Sequence, residues 1–219
     1  MLTSAGLFAL QLFLIATHAT SPVGFARAFY AQMFCHFGVA LMVSSLSNER
    51  AEVRLQKVAQ TDTLTGIGNR RWLMSMLPAQ LPVGSAIAQL DLDHFKHIND
   101  RFGHAAGDRV LRAAAEALGG ELRGSDLLAR WGGEEFLVYL PDATAEHAAA
   151  VAQRLCSAVQ NIRLTEARQG ISVTASIGIV CLTSGGGSWA EWLAVADQAL
   201  YDAKHAGRNR VVVAAGRRA

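Results

Sequence analysis

Residues Leu127–Leu140 read LLARWGGEEFLVYL, and this stretch limits the possible folds more than any other part of the chain. Two apolar runs, Leu127–Trp131 and Phe136–Leu140, are each long enough for a buried strand. Gly132 and Gly133 separate them, a pair that closes a tight hairpin through positive φ angles. Glu134 and Glu135 follow directly. Bare glycine backbone lets a bulky ligand approach, and the turn puts carboxylates beside that opening. Taken alone, the same residues describe a solvated hairpin tip. A second acidic strand end, Asp91-Leu92-Asp93, adds chemistry to it.

The hairpin has to find partners, and the flanking chain supplies them. Ser85–Asp91 is a strand ending on acid; Asp93–Arg101 reads as a helix that Asp93 can cap. Ala105–Leu118 is an alanine-rich helix closed by Gly119-Gly120, and Thr144–Gln160 a helix with Ala148, Val151, Leu155 and Val159 on its apolar face. Ile171–Leu182 is a long strand region, Gly185–Gly187 a flexible turn, Trp189–His205 the last helix and Val211–Val213 a closing strand. Earlier, the loop Thr61–Arg71 leads into a short helix stopped by Pro78. The order β-α-α-β-β-α-β predicts an α+β, ferredoxin-like palm with an antiparallel central sheet.

A content of 51% hydrophobic residues and a mean hydropathy of +0.22 direct attention to the N-terminus. Met1–Ala26 carries no charge, Arg27 follows, and Ala28–Leu46 is a second uncharged run with Ser21-Pro22-Val23-Gly24 breaking the two. A spanning helix takes about 20 apolar residues. The palm is therefore expected to be preceded by hydrophobic helical segments, with a transmembrane region over residues 1–47, a helical stalk over 48–60 and the catalytic domain over 61–219. Arg50, Arg54 and Lys57 follow the second run and mark its end as the inner side. A net charge of +2 is too small for a nucleic-acid surface. Cys35, Cys156 and Cys181 lie too far apart to suggest a metal or redox pair.

Carboxylates on neighbouring strands make a hard oxygen site of the kind that takes Mg²⁺ or Mn²⁺ and leaves room for phosphates. His94-Phe95-Lys96-His97 opens a helix, whose free N–H groups attract phosphate, and Lys96 adds charge. The runs GGEEF, DLDHFK, NDRFGHAAGD, YDAKHAGRNR and RGSD together resemble the GGDEF domain family, the diguanylate cyclases. That resemblance covers about Asp62 to Val213. It implies a cyclase that condenses two GTP into cyclic di-GMP and two pyrophosphates as a homodimer.

By the same resemblance, Asp91, the Leu92 carbonyl, Glu134 and Glu135 hold the metal, and Glu134 takes the proton. Phe95 and Lys96 belong to the phosphate loop, Asn99 and Asp108 read guanine, His104 stands near the base, and Lys204 and Arg208 face the triphosphate. Thr174, Ser176 and Gly178 are structural. Arg123 and Asp126 form the inhibitory site, where the product binds. The resemblance and the apolar N-terminus together imply a bacterial inner membrane location with the catalytic domain in the cytoplasm. The alternative is a non-catalytic membrane receptor that binds cyclic di-GMP at Arg123 and Asp126; intact Glu134 and Lys96 weigh against it.

Overall fold

A computed structural model describes residues 23, 26, 29–30, 32–45, 60–166, 169–183 and 187–214. The chain divides into two compact units, Met1–Gln56 and Lys57–Ala219.

In the first unit, residues 32–45 form a helix whose large apolar side chains, including Phe34, Phe37 and Met42, are exposed. Among the described residues no helix is long and apolar enough to cross a membrane. The expected inner-membrane location, with its anchoring segments, is therefore corrected. Absence of charge is what made the run look like a span. The first apolar run, the stalk up to residue 59 and most of the Gly185–Gly187 turn lie outside the described residues.

The second unit is built on a mixed six-stranded sheet. In chain order its elements are β1 (Gly68–Asn69), α1 (Arg70–Met76), β2 (Ala86–Leu92), α2 (Phe95–Phe102), α3 (His104–Gly120), β3 (Leu127–Gly132) and β4 (Glu135–Leu140). Then come α4 (Ala145–Gln160), a small hairpin of β5 (Leu164–Glu166) and β6 (Gln169–Ile171), β7 (Ala175–Cys181), α5 (Trp189–His205) and β8 (Val211–Ala214). The large sheet runs β1-β3-β4-β2-β7-β8. Its four inner strands pair antiparallel, which is the expected palm. The edges differ from expectation, because β1 joins β3 and β8 joins β7 in parallel. Two-residue β1 has no apolar run to announce it.

Alternation along β2 sorts the core. Ala86, Ala88, Leu90 and Leu92 face a layer that includes Val110 and Leu118 of α3 with Val151 and Leu155 of α4. Ile87 points the other way, with Leu137 and Val180, under Leu73 of α1 and Trp192 and Ala196 of α5. Asp91 falls on this second face by the strand's period of two, which aims it at α5. Caps fix the helices: Thr144 accepts from the His147 N–H at 3.2 Å, and Ser188 and Glu191 form a capping box.

Two expectations change locally. Asp93 does not cap α2, where His94 stands at the cap position with φ 56°. Its buried carboxylate instead accepts from Thr174 Oγ1 (2.7 Å), Ser176 Oγ (2.7 Å) and the Asn209 N–H (3.0 Å). Three donors from two distant segments satisfy a buried anion better than one helix end. The long strand expected over Ile171–Leu182 is two strands, β6 and β7, because Thr174 breaks the ladder to accept the Asp93 N–H at 2.8 Å.

Gly178 sets how closely α5 lies on the sheet. A Cβ there would stand 2.1 Å from the Leu200 nitrogen and 2.2 Å from the Ala196 oxygen. Gly178→Ala must lift the helix that carries Lys204 and is expected to cost about 1–3 kcal/mol. Urea unfolding measures it, as a lower midpoint with an unchanged slope.

Candidate functional site

The edge of β2 next to the turn of the hairpin gathers charge. Asp91 lies directly opposite Glu135 of β4 and Ser176 of β7, so the three side chains share the face under α5. Leu92 is buried and donates its N–H to the Glu134 oxygen at 3.2 Å, locking the turn to the end of β2. From the last turn of α5, Lys204 Nζ reaches Asp91 Oδ2 at 2.9 Å. Sequence reasoning named both residues but not this pairing, which only the crossing of α5 over the sheet creates.

The carboxylates strain against one another. Burial pushes the Asp91 carboxyl upward, with Asp93 adding to it, while Lys204 and Arg208 pull the other way. Glu134 is raised by burial and then by the charge of Asp91. Glu135 is raised by burial, by Asp91 and by Asp197 of α5. Anions held together at this cost suit a hard divalent cation. Among the described residues no group of three or more His, Cys, Asp and Glu side chains converges as a complete cage. The donor set fits a cation whose coordination is shared with phosphate oxygens, the usual arrangement for a small divalent ion.

The turn itself is held from behind. Arg130 donates to the Gly133 oxygen from Nε (2.9 Å) and Nη2 (2.7 Å). Its Nη1 bridges both Asp62 oxygens at 3.1 Å. Burial works to raise Asp62, but hydrogen bonds from Thr65 and the Arg130 charge outweigh it and leave its carboxyl lowered. Gly133 has φ 49°, the left-handed region a glycine enters without strain. Sequence reasoning missed Asp62 and Arg130. They are 68 positions apart, and neither stands in a run whose spacing points to the other.

The remaining candidates fall into four places. Phe95 is buried at the start of α2, beside exposed His94, Lys96 and His97. Asn99 lies on α2 and Asp108 on α3, and the helices touch where Asn99 meets Gly107, the residue before Asp108. A Cβ on Gly107 would lie 1.9 Å from Asn99 Oδ1, so this glycine makes room for the Asn99 side chain. Asp108 sits inside α3 and is no N-cap; Gly103 holds that position, and His104 is exposed in the first turn. Arg208 follows α5 at φ 62°, donating its N–H to the Ala203 oxygen at 3.1 Å. Arg123 and Asp126 close a turn on themselves, the Arg123 N–H donating to Asp126 Oδ2 at 2.8 Å. They precede β3 and so stand a strand's length from the glycine turn.

A family model described as "Diguanylate cyclase, GGDEF domain" matches residues 59–210. The diguanylate cyclase DgcP of Pseudomonas aeruginosa is 41% identical over 71% of this chain and 24% of its own length. The response regulator PleD of Caulobacter vibrioides is 39% identical over 71% of this chain and 36% of its own. The chain thus spans less than half of these relatives. Among solved structures, the coiled coil and GGDEF domain of DgcB from Caulobacter crescentus, in complex with c-di-GMP, superposes with a TM-score of 0.70 at 30% identity, covering 81% of this chain and 99% of that one.

Removing one anion from the cluster should relieve it. Glu134 has a folded-state pKa above its ordinary 4.5, so its ionised form opposes folding. That opposition is complete above the raised pKa and vanishes as pH falls through it toward 4.5. Glu134→Gln is therefore expected to unfold at a higher temperature than wild type at neutral pH, with the advantage fading on acidification. Thermal melts across pH 4 to about 8 measure this.

Proposed function

Because the chain belongs to the GGDEF family of diguanylate cyclases, we propose that it condenses two GTP into cyclic di-GMP and two pyrophosphates. The observation that supports this most is the convergence of Asp91, Glu134, Glu135 and Lys204 at one end of β2, beside a glycine turn that Arg130 fixes. Residues 61–219 act as the catalytic domain, joined through residues 48–60 to a separate N-terminal region.

Asp91, the Leu92 carbonyl, Glu134 and Glu135 would hold Mg²⁺ or Mn²⁺. When bound, the cation supplies charge neutralisation at the phosphates and makes the α-phosphorus a better electrophile. Lys96, Phe95 of its loop, Lys204 and Arg208 bind and orient the triphosphate. Asp108 accepts from the N1–H and exocyclic amine of guanine, and Asn99 completes the base pocket with His104 at its rim. Adenine leaves that carboxylate unpaired, which disfavours adenine heavily at a hydrogen-bonding site and so gives selectivity for guanine. Glu134 receives the proton of the ribose 3′-hydroxyl. The oxygen attacks the α-phosphorus of the other GTP, and the bond to the bridging oxygen breaks with departure of pyrophosphate. Each domain carries one substrate, so two chains meet as a homodimer. Cyclic di-GMP also binds at Arg123 and Asp126, away from the carboxylates, and restrains the enzyme.

Incubation with Mg²⁺ and either GTP or ATP tests the reading. Cyclic di-GMP from GTP alone is expected; an ATP product means a different cyclase, and no turnover means a receptor. Glu134→Gln should lose at least about a hundred-fold in rate while remaining folded, Glu134→Asp should keep substantial activity, and Asp108→Ala should weaken GTP and narrow its preference over ATP.

Feedback requires that the product favour a restrained arrangement over the productive one. Wild-type progress curves should slow as product accumulates, and those of Arg123→Ala should stay linear for longer. Equal inhibition constants for added cyclic di-GMP would reduce Arg123 to a surface residue.

A further inference from the structure

The glycine turn has two sides. On one lie Asp91, Glu134 and Glu135; on the other is an open cleft of about 780 Å³ whose lining includes Asp62, Arg70, Arg71, Arg130, Trp131 and Gly133. Its basic groups are placed differently. Arg130 is committed to Asp62 and the Gly133 oxygen. Arg70 lies 4.4 Å over the Trp131 ring, which holds the guanidinium in position without neutralising it. Arg71 is exposed and pairs with no carboxylate among the described residues. With Asp62 answered by Arg130, the charges of Arg70 and Arg71 remain unopposed.

The substrate side has no such surplus. Lys96, Lys204 and Arg208 only offset Asp91, Glu134 and Glu135, so nothing is left over for the nucleotide. GTP with one divalent cation keeps a net charge of about −2. The missing positive charge is on the same hairpin, across the turn, where a domain's own substrate does not lie. In the homodimer of the cyclase reading, a two-fold axis placed beside the turn would exchange the two sides and bring the nucleotide of one chain to face the cleft of the other.

We propose that Arg70 and Arg71 contact the triphosphate bound by the facing copy of this chain, so that each domain completes its partner's half-site. The inference rests on the cyclase reading. The ligand is a metal-bound nucleoside triphosphate presented by a second chain. Contact forms only when two loaded domains meet, which places its effect on turnover and not on capture of GTP. It also links pairing to loading: empty domains bring cleft and carboxylates together without the phosphates that complement the arginines.

Kinetics and binding on the full chain separate this from a local role. The variants are Arg70→Ala with Arg71→Ala, Arg71→Glu and Arg71→Lys. Arg71→Glu changes an exposed residue and should keep the wild-type melting temperature, which covers the case where loss of the Arg70–Trp131 contact unfolds the double variant. For the double variant and Arg71→Glu, kcat should fall by about ten-fold or more, while affinity for the α,β-methylene analogue of GTP with Mg²⁺ in dilute protein stays within about two-fold of wild type. Arg71→Lys should recover most of the rate. A loss of analogue affinity matching the loss in kcat/KM would make the cleft part of the chain's own site and overturn the proposal. Unchanged kcat in both variants would overturn it too. Failure of the wild type to turn over GTP would instead remove the cyclase reading, and this inference with it.

Discussion

Three carboxylates meet at one end of a sheet, and one lysine faces them. Burial raises Asp91, Glu134 and Glu135, the charge of Asp91 raises both glutamates further and Asp93 raises Asp91, and the 2.9 Å pair with Lys204 offsets only part of that. A chain gains nothing in stability from such an arrangement. It becomes favourable only when positive charge arrives from outside, and the rest of the domain serves to keep the carboxylates in place until it does.

Three other charged residues do that work. Arg130 sets the turn by donating twice to the Gly133 oxygen, and Asp62 keeps the guanidinium aimed. Asp93 ties the end of β2 to Thr174 and Ser176 before β7 and within it, and to Asn209 after α5. The same segment carries Arg208, so a buried aspartate next to the site holds the chain that brings the last arginine. Close packing of α5 at Gly178 completes the frame, because the height of that helix decides whether Lys204 reaches Asp91.

Much of this was legible in the residues because the signals were local. The glycine pair between two apolar runs announced the hairpin, and the alternation of helices and strands announced the palm. What failed was long-range. Asp93 looked like a helix cap since its sequence neighbours begin a helix, yet its donors lie 81 to 116 positions away. Asp62 and Arg130 carry no motif of their own. The edge strand β1 is two residues long and gains its ladder only from β3. At the N-terminus, lack of charge suggested a membrane span, but among the described residues no helix is long and apolar enough to be one.

The central claim is that these carboxylates form a cation site completed by the nucleotide. Electron paramagnetic resonance of Mn²⁺ tests it without requiring turnover. With a non-cleavable GTP analogue present, the wild-type chain should convert free Mn²⁺ to a bound form in proportion to protein. Asp91→Asn should leave most of the ion free, and omission of the analogue should weaken binding in the wild type. Equal Mn²⁺ binding by wild type and Asp91→Asn, with or without analogue, would contradict the account.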